Sequence, residues 1–241
     1  MDDTASPTLA KSDEATNRAV YERILGAIHS GRLRPGQRLP EPAIARALGV
    51  SRERVRGALR RLAHEGWLAL VPNKGACLPE LEPHTLEKVF EARRLLEGAV
   101  VRLLAERPTA AMLAELDAHL EAEAEAAGSK DRSRQIPLSC GFHELLFAQT
   151  DNPWLTGFLR QVVTPSVMAY ALFAPEPLPD CGGPHEHRAI VDAIRRQDPE
   201  AAERLMHAHL DEAMAHVRRL RQRRPEQPVE AIFAALDIPA D

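Results

Sequence analysis

Cysteine is scarce in this sequence, with Cys77, Cys140 and Cys181 alone among 241 residues. The three are far apart and odd in number. That excludes a disulfide framework and a C-x-x-C metal site, and it points to a reducing, cytoplasmic setting. Aromatic residues are few as well, at 4%. With Ala, Leu, Glu and Arg abundant, this favours a mostly helical chain. No apolar run approaches the roughly 20 residues that span a bilayer, so no membrane association is expected. The N-terminal stretch MDDTASPTLAKSDEATN is acidic and polar and lacks the apolar centre of a secretory signal. There is no glycine-rich phosphate loop, no G-x-S-x-G and no cysteine in a nucleophile setting.

What is present divides by charge. The chain is 44% hydrophobic and 27% charged, enough to bury a sizeable core, and its net charge is −4. Between Asn17 and Leu78, however, 12 Lys/Arg stand against 4 Asp/Glu, a surplus of 8 that leaves −12 for the remainder. A basic N-terminal unit on an acidic body argues for a polyanion-binding module joined to something else.

The basic unit centres on GVSRERVRGALRRL, residues 49–62. Gly49 permits a tight turn, and Ser51 can cap a helix by accepting from a first-turn amide. Val55, Ala58, Leu59 and Leu62 fall on one buried stripe, while Arg52, Arg56 and Arg60 form an exposed row. A short helix with that division suits the major groove of DNA. In chain order, residues 1–16 are expected as a disordered tail. Helices follow over Asn17–Ser30, Glu41–Leu48 and Arg52–Glu65. WLALV and GACLP then form a hairpin around Pro72-Asn73-Lys74-Gly75.

Three helices and a hairpin make a winged helix-turn-helix, expected over 17–80. Residues Ile28 to Leu78 resemble the GntR family of bacterial transcription regulators. They carry G-x-L-x-P-G-x-x-L, L-G-V-S-R, V-R-x-A-L-x-x-L, E-G-x-x and P-N-x-G in order. Arg54 and Gly57 depart from that pattern inside the reading helix. The resemblance implies that Arg52 and Arg56 make base contacts, guanidinium forks matching guanine O6 and N7. It implies that Ser51 caps the helix and touches phosphate, and that Asn73, Lys74 and Gly75 form a wing tip in the minor groove. Arg38, Arg46 and Arg60 are candidate contacts outside the base-reading pair, the first two to phosphate.

From Glu82 onward the pattern is helical almost throughout, an antiparallel bundle expected over 83–224 with a C-terminal extension and short helix over 225–241. The fold class is therefore mainly α, with a small wing. The alanine/glutamate end of 109–127 reads as solvated, GSKDRSRQ as a polar linker, and APEPLPDCGGP as a turn-rich connection. Glu91-x-Arg93-x-x-x-Glu97, Phe142-His143, Asp151-Asn152-Pro153, His187-x-x-Ile190 and Met206-x-x-His209-Leu210 together resemble the FCD domain of the FadR-type branch of the GntR family.

That resemblance implies a divalent metal of the zinc or nickel type on His143, His187 and His209. Ser139 stands where it leads one to expect an aspartate, and a neutral hydroxyl is a poor ligand. His185, His207 and His216 are near enough in sequence to substitute. Arg93, Ser139 and Asn152 are the candidate effector contacts, Asn152 also reading as a helix cap. A homodimer on a palindromic DNA operator is expected, with a small carboxylate or sugar acid as effector and repression as the commoner outcome in the family. The rival class is a metal-dependent enzyme or metal-sensing helical protein using the same histidines. His143-Glu144 opens H-E-x-x-H, but Phe147 stands in place of the second histidine. A structural DNA-binding protein without an effector would instead have an apolar bundle interior.

Overall fold

A computed structural model describes residues 7–80, 82–129, 132–173, 183–219 and 228–234. The chain divides into two compact units, one combining Met1–Glu80 with Arg224–Asp241, the other Leu81–Arg223.

The first unit contains α1 (Pro7–His29), α2 (Glu41–Leu48), α3 (Arg52–His64), β1 (Ala69–Val71) and β2 (Gly75–Cys77). Helix α1 begins well before the expected Asn17, so residues 7–16 are helical and not a disordered tail. Pro7 presets φ for a first turn, and Ala10, Lys11, Glu14 and Ala15 propagate it. Helix α2 ends at Gly49, whose φ of 67° is the left-handed cap conformation. Val55, Ala58, Leu59 and Leu62 are buried on α3. They pack with Val20, Ile24 and Ile28 of α1, each exposed by 2% or less. The strands pair antiparallel with Ala69 opposite Cys77 and Val71 opposite Gly75, and Arg38 bridges to Cys77 as a third edge.

The C-terminal helix α10 (Val229–Ala234) also belongs to this unit. It is no free extension, because Val229, Ile232 and Phe233 are buried against α1 and α2.

The second unit is a helical bundle of α4 (Pro83–Glu106), α5 (Ala110–Ser129), α6 (Arg132–Ala148), α7 (Pro153–Phe173), α8 (Gly183–Arg195) and α9 (Pro199–Arg219). Helix α4 runs along α9, α5 packs on α6 and α8, and α7 packs on α4 and α6. A Cβ at Gly98 would lie 2.5 Å from His207 Nε2, so glycine sets the close approach of α4 to α9. The expected polar linker over 128–135 is largely helix. Gln135 donates to the Ala126 and Ala127 carbonyls and so caps α5 from α6. The end of α5 is not simply solvated either. Met112, Leu116, Leu120, Glu123 and Ala126 form one buried stripe. Most of the turn-rich connection, with Cys181, lies outside the described residues.

Candidate functional site

The first unit presents the arginine row on α3. Ser51 is the N-cap, its hydroxyl accepting from Arg54 N at 3.4 Å. Arg52 and Arg60 are exposed. Arg56 is exposed but engaged. Its Nε and Nη2 donate to Glu41 at 3.0 and 2.8 Å, and the guanidinium holds the Glu41 carboxyl below its ordinary range. Of the candidate phosphate contacts, Arg38 is exposed beside the wing, and Arg46 donates to Glu230 of α10 at 3.4 Å. Asn73 adopts φ 62° and Gly75 φ 77° at the hairpin turn, which leaves Asn73, Lys74 and Gly75 exposed at the tip. An arginine row and a basic, glycine-tipped wing on one small unit can grip phosphates and offer forked donors to base edges.

In the bundle, His143 of α6, His187 of α8 and His209 of α9 come together, all buried. His209 Nε2 lies 3.3 Å from His187 Nε2 and 3.4 Å from His143 Nε2. Two nitrogens held about 2.0–2.1 Å from a tetrahedral ion lie about 3.3–3.4 Å apart, so both separations from His209 fit zinc-type ligands, and all three ligand atoms lie within 4.8 Å of one another. Ring nitrogens so close cannot all carry protons, and facing lone pairs repel one another. A cation among them removes that conflict. Phe142, fully buried, stacks on the His187 ring at 3.9 Å and fixes its plane.

Each remaining ring nitrogen meets a carboxylate. His143 Nδ1 donates to Glu97 Oε2 at 2.6 Å, and His209 Nδ1 pairs with Glu186 Oε2 at 2.7 Å. His187 Nδ1 lies 3.0 and 2.9 Å from the two Glu123 oxygens. Burial pushes Glu123 up to about 8. Burial acts on Glu97 in the same sense, but Arg93 and His143 outweigh it and hold that carboxyl at about 2. Burial also lowers His143, to about 4, and drives His187 well below the ordinary imidazole range. The uncharged His143 and His187 rings are thus the stable form, as metal ligands require.

Arg93 adjoins this centre. Its Nε donates to Glu97 at 2.5 Å and its Nη1 to Ser166 at 2.9 Å, while Nη2 is buried and finds no partner among the described residues. Ser139, one turn before His143 on α6, is half-buried and brings no carboxylate. Asn152 is not part of the centre. It is exposed and caps α7, accepting from Trp154 and Leu155 amides at 3.1 and 3.3 Å. His185 is exposed, and His207 Nε2 bonds the Arg94 carbonyl, so neither replaces His187 or His209. The bundle interior is polar at its heart, unlike that of a purely structural module. The carboxylates of Glu123 and Glu186 carried no sequence motif. Glu123 does fall on the apolar stripe of α5, and Glu186 adjoins His187.

A winged helix-turn-helix joined to a helical body with a buried, charged centre defines a DNA-binding regulator with a sensing domain. The pattern described as bacterial regulatory proteins of the gntR family matches residues 16–78, and that of the FCD domain matches residues 88–212. The chain belongs to the GntR family and carries an FCD domain. It is 31% identical over 208 residues to a Paenarthrobacter nicotinovorans protein named "Probable D-xylose utilization operon transcriptional repressor", covering 86% of this chain and 90% of that one. It is 26% identical over 234 residues to the galactonate operon transcriptional repressor of Escherichia coli K12, covering 86% and 97%. The solved structure of E. coli McbR/YncC superposes with a TM-score of 0.69 at 23% identity, covering 84% of this chain and 97% of that one. A GntR regulator from Rhodococcus sp. RHA1 gives 0.71 at 24%, covering 86% and 99%. The protein is accordingly a transcriptional regulator, and the rival enzyme reading finds no support among its relatives. Among the described residues, no helix is long and apolar enough to cross a membrane.

Proposed function

We propose that the protein is a homodimeric cytoplasmic repressor that releases a palindromic operator when a small carboxylate binds beside a metal held by His143, His187 and His209. The observation that supports this reading is the convergence of three buried imidazole nitrogens next to an arginine with a spare donor. Three histidines would hold a zinc- or nickel-type ion and leave a coordination position open. Such an ion would supply Lewis acidity toward an effector oxygen. Arg93 Nη2 would donate to the same carboxylate, and Ser139 lies on the helix that carries His143.

The name of one relative, for a galactonate operon, favours a sugar acid as the effector class, and that of another, for D-xylose utilization, a sugar skeleton. On DNA, Arg52 and Arg56 would read bases, Arg56 by parting from Glu41 or by using its outward donor. Ser51, Arg38 and Arg46 would hold phosphates, with Arg60 at the periphery of the interface, and Asn73, Lys74 and Gly75 would enter the minor groove. Two heads on one two-fold axis match a palindrome. The effector acts by binding one arrangement of the dimer better than the other.

A thermal-shift screen of metal-loaded protein against small carboxylates and sugar acids tests the effector. A true ligand raises the melting temperature of the wild type and not of Arg93→Ala. Equal shifts in both, or none in either, would remove Arg93 from the reading.

A further inference from the structure

Each of the three histidines is held from behind. The partner of His143 comes from α4 (Glu97), that of His187 from α5 (Glu123), and that of His209 from α8 (Glu186). In every case the carboxylate sits on a different helix from its histidine, so five helices of the bundle meet in three pairs. Glu97 and Glu123 are exposed by 0% and 4%, and no general reason places carboxylates so deep. Glu97 has Arg93 as counter-charge, whereas the ion-pair partners of Glu123 among the described residues are imidazoles, His187 at 2.9 Å and His119 at 3.9 Å.

We infer that Glu97, Glu123 and Glu186 form an outer ring that orients an all-nitrogen inner set toward a divalent ion. The inference rests on the metal reading above. A carboxylate on Nδ1 keeps that nitrogen's proton outward and turns the Nε2 lone pair inward, which fixes tautomer and ring direction together. It also makes the ring a stronger donor. Glu97 returns negative charge to a centre whose three nitrogen ligands have none, since Ser139 supplies only a hydroxyl. Separating the two roles has a chemical consequence. Three imidazoles without a carboxylate oxygen select zinc, nickel or cobalt over manganese or magnesium, which prefer oxygen. Glu123 and Glu186 are positioning residues in this arrangement, acting on the ion through His187 and His209.

The test is competition between protein and a chromophoric chelator for Zn²⁺, Ni²⁺ and Mn²⁺, using chelator-stripped full-length protein. Wild type should bind one zinc or nickel per chain and take manganese at least 100-fold more weakly. Glu123→Gln and Glu186→Gln should each bind zinc about 10–100-fold more weakly. Glu121→Gln, on the exposed side of α5, should match wild type. Glu186 is a third exposed, so its variant keeps the fold even where the buried Glu123 substitution does not. If wild type binds no ion, the metal reading itself fails. If wild type binds zinc and both glutamine variants bind it equally well, the outer ring is overturned. Manganese bound as tightly as zinc would overturn the selectivity.

Discussion

Replacing Glu97 with glutamine removes the charge from a fully buried carboxylate that is paired with Arg93 at 2.5 Å and with His143 at 2.6 Å. Burial alone would favour the neutral acid, yet Arg93 and His143 hold the group at about 2 against an ordinary 4.5. At about 1.4 kcal/mol per unit, that displacement corresponds to roughly 3 kcal/mol. Breaking a buried pair by deleting one partner costs roughly 3–5 kcal/mol by an independent route, because Arg93 is left charged in a dry interior. A unit of this size loses about 2–4 °C per kcal/mol, so the bundle transition of chelator-treated Glu97→Gln should fall by roughly 6–12 °C at pH 7.

The sign with pH follows from the depressed value. The Glu97 contribution is complete above about 4.5 and disappears as pH falls toward 2. The gap between variant and wild type, followed by circular dichroism, should therefore narrow at pH 3.5. Combining Arg93→Met with Glu97→Leu should cost less than the two single losses added together, since no charge is then stranded. A Glu97→Gln protein melting within 1 °C of wild type at pH 7 would refute the buried pair.

Other outcomes follow from single contacts. His29 is buried, its Nε2 has no partner among the described residues, and burial lowers it to about 4. The N-terminal unit should lose up to roughly 3 kcal/mol as pH falls from 6.5 to 4, and His29→Phe should flatten that slope in pH-dependent melts. Phe233 is 2% exposed, so Phe233→Ala should cost the same unit about 3–5 kcal/mol by urea titration, while its mere presence as a tail would predict no change. Glu230→Gln removes the acid facing Arg46. DNA binding should tighten slightly and its salt slope steepen by at most about one unit, an effect absent from an Arg46→Ala background.

The winged unit was legible because its signals are local. The stripe Val55, Ala58, Leu59 and Leu62 and the turn at Gly49 are consecutive features of one short segment, and all lie where their spacing puts them. The bundle was legible in outline, and His143, His187 and His209, spread over 67 positions of the sequence, gather at one place in it. The outer carboxylates were not legible, because Glu123 reads as one of several glutamates in an alanine-rich helix end. Only the packing of α5 against α6 and α8 shows which of them turns inward. The docking of α10 was hidden for a related reason. Val229, Ile232 and Phe233 make an apolar face, but nothing in six residues says which distant helix it covers. The pairing of Arg56 with Glu41 likewise joins residues 15 positions apart across a turn.

The central claim, that the α3 arginines read DNA, is tested most directly by fluorescence anisotropy on duplexes selected from a random pool by wild-type protein. Arg52→Ala should lose about 1–3 kcal/mol of affinity for the selected site while keeping its affinity for unrelated DNA. An unchanged ratio of specific to non-specific binding would contradict the account.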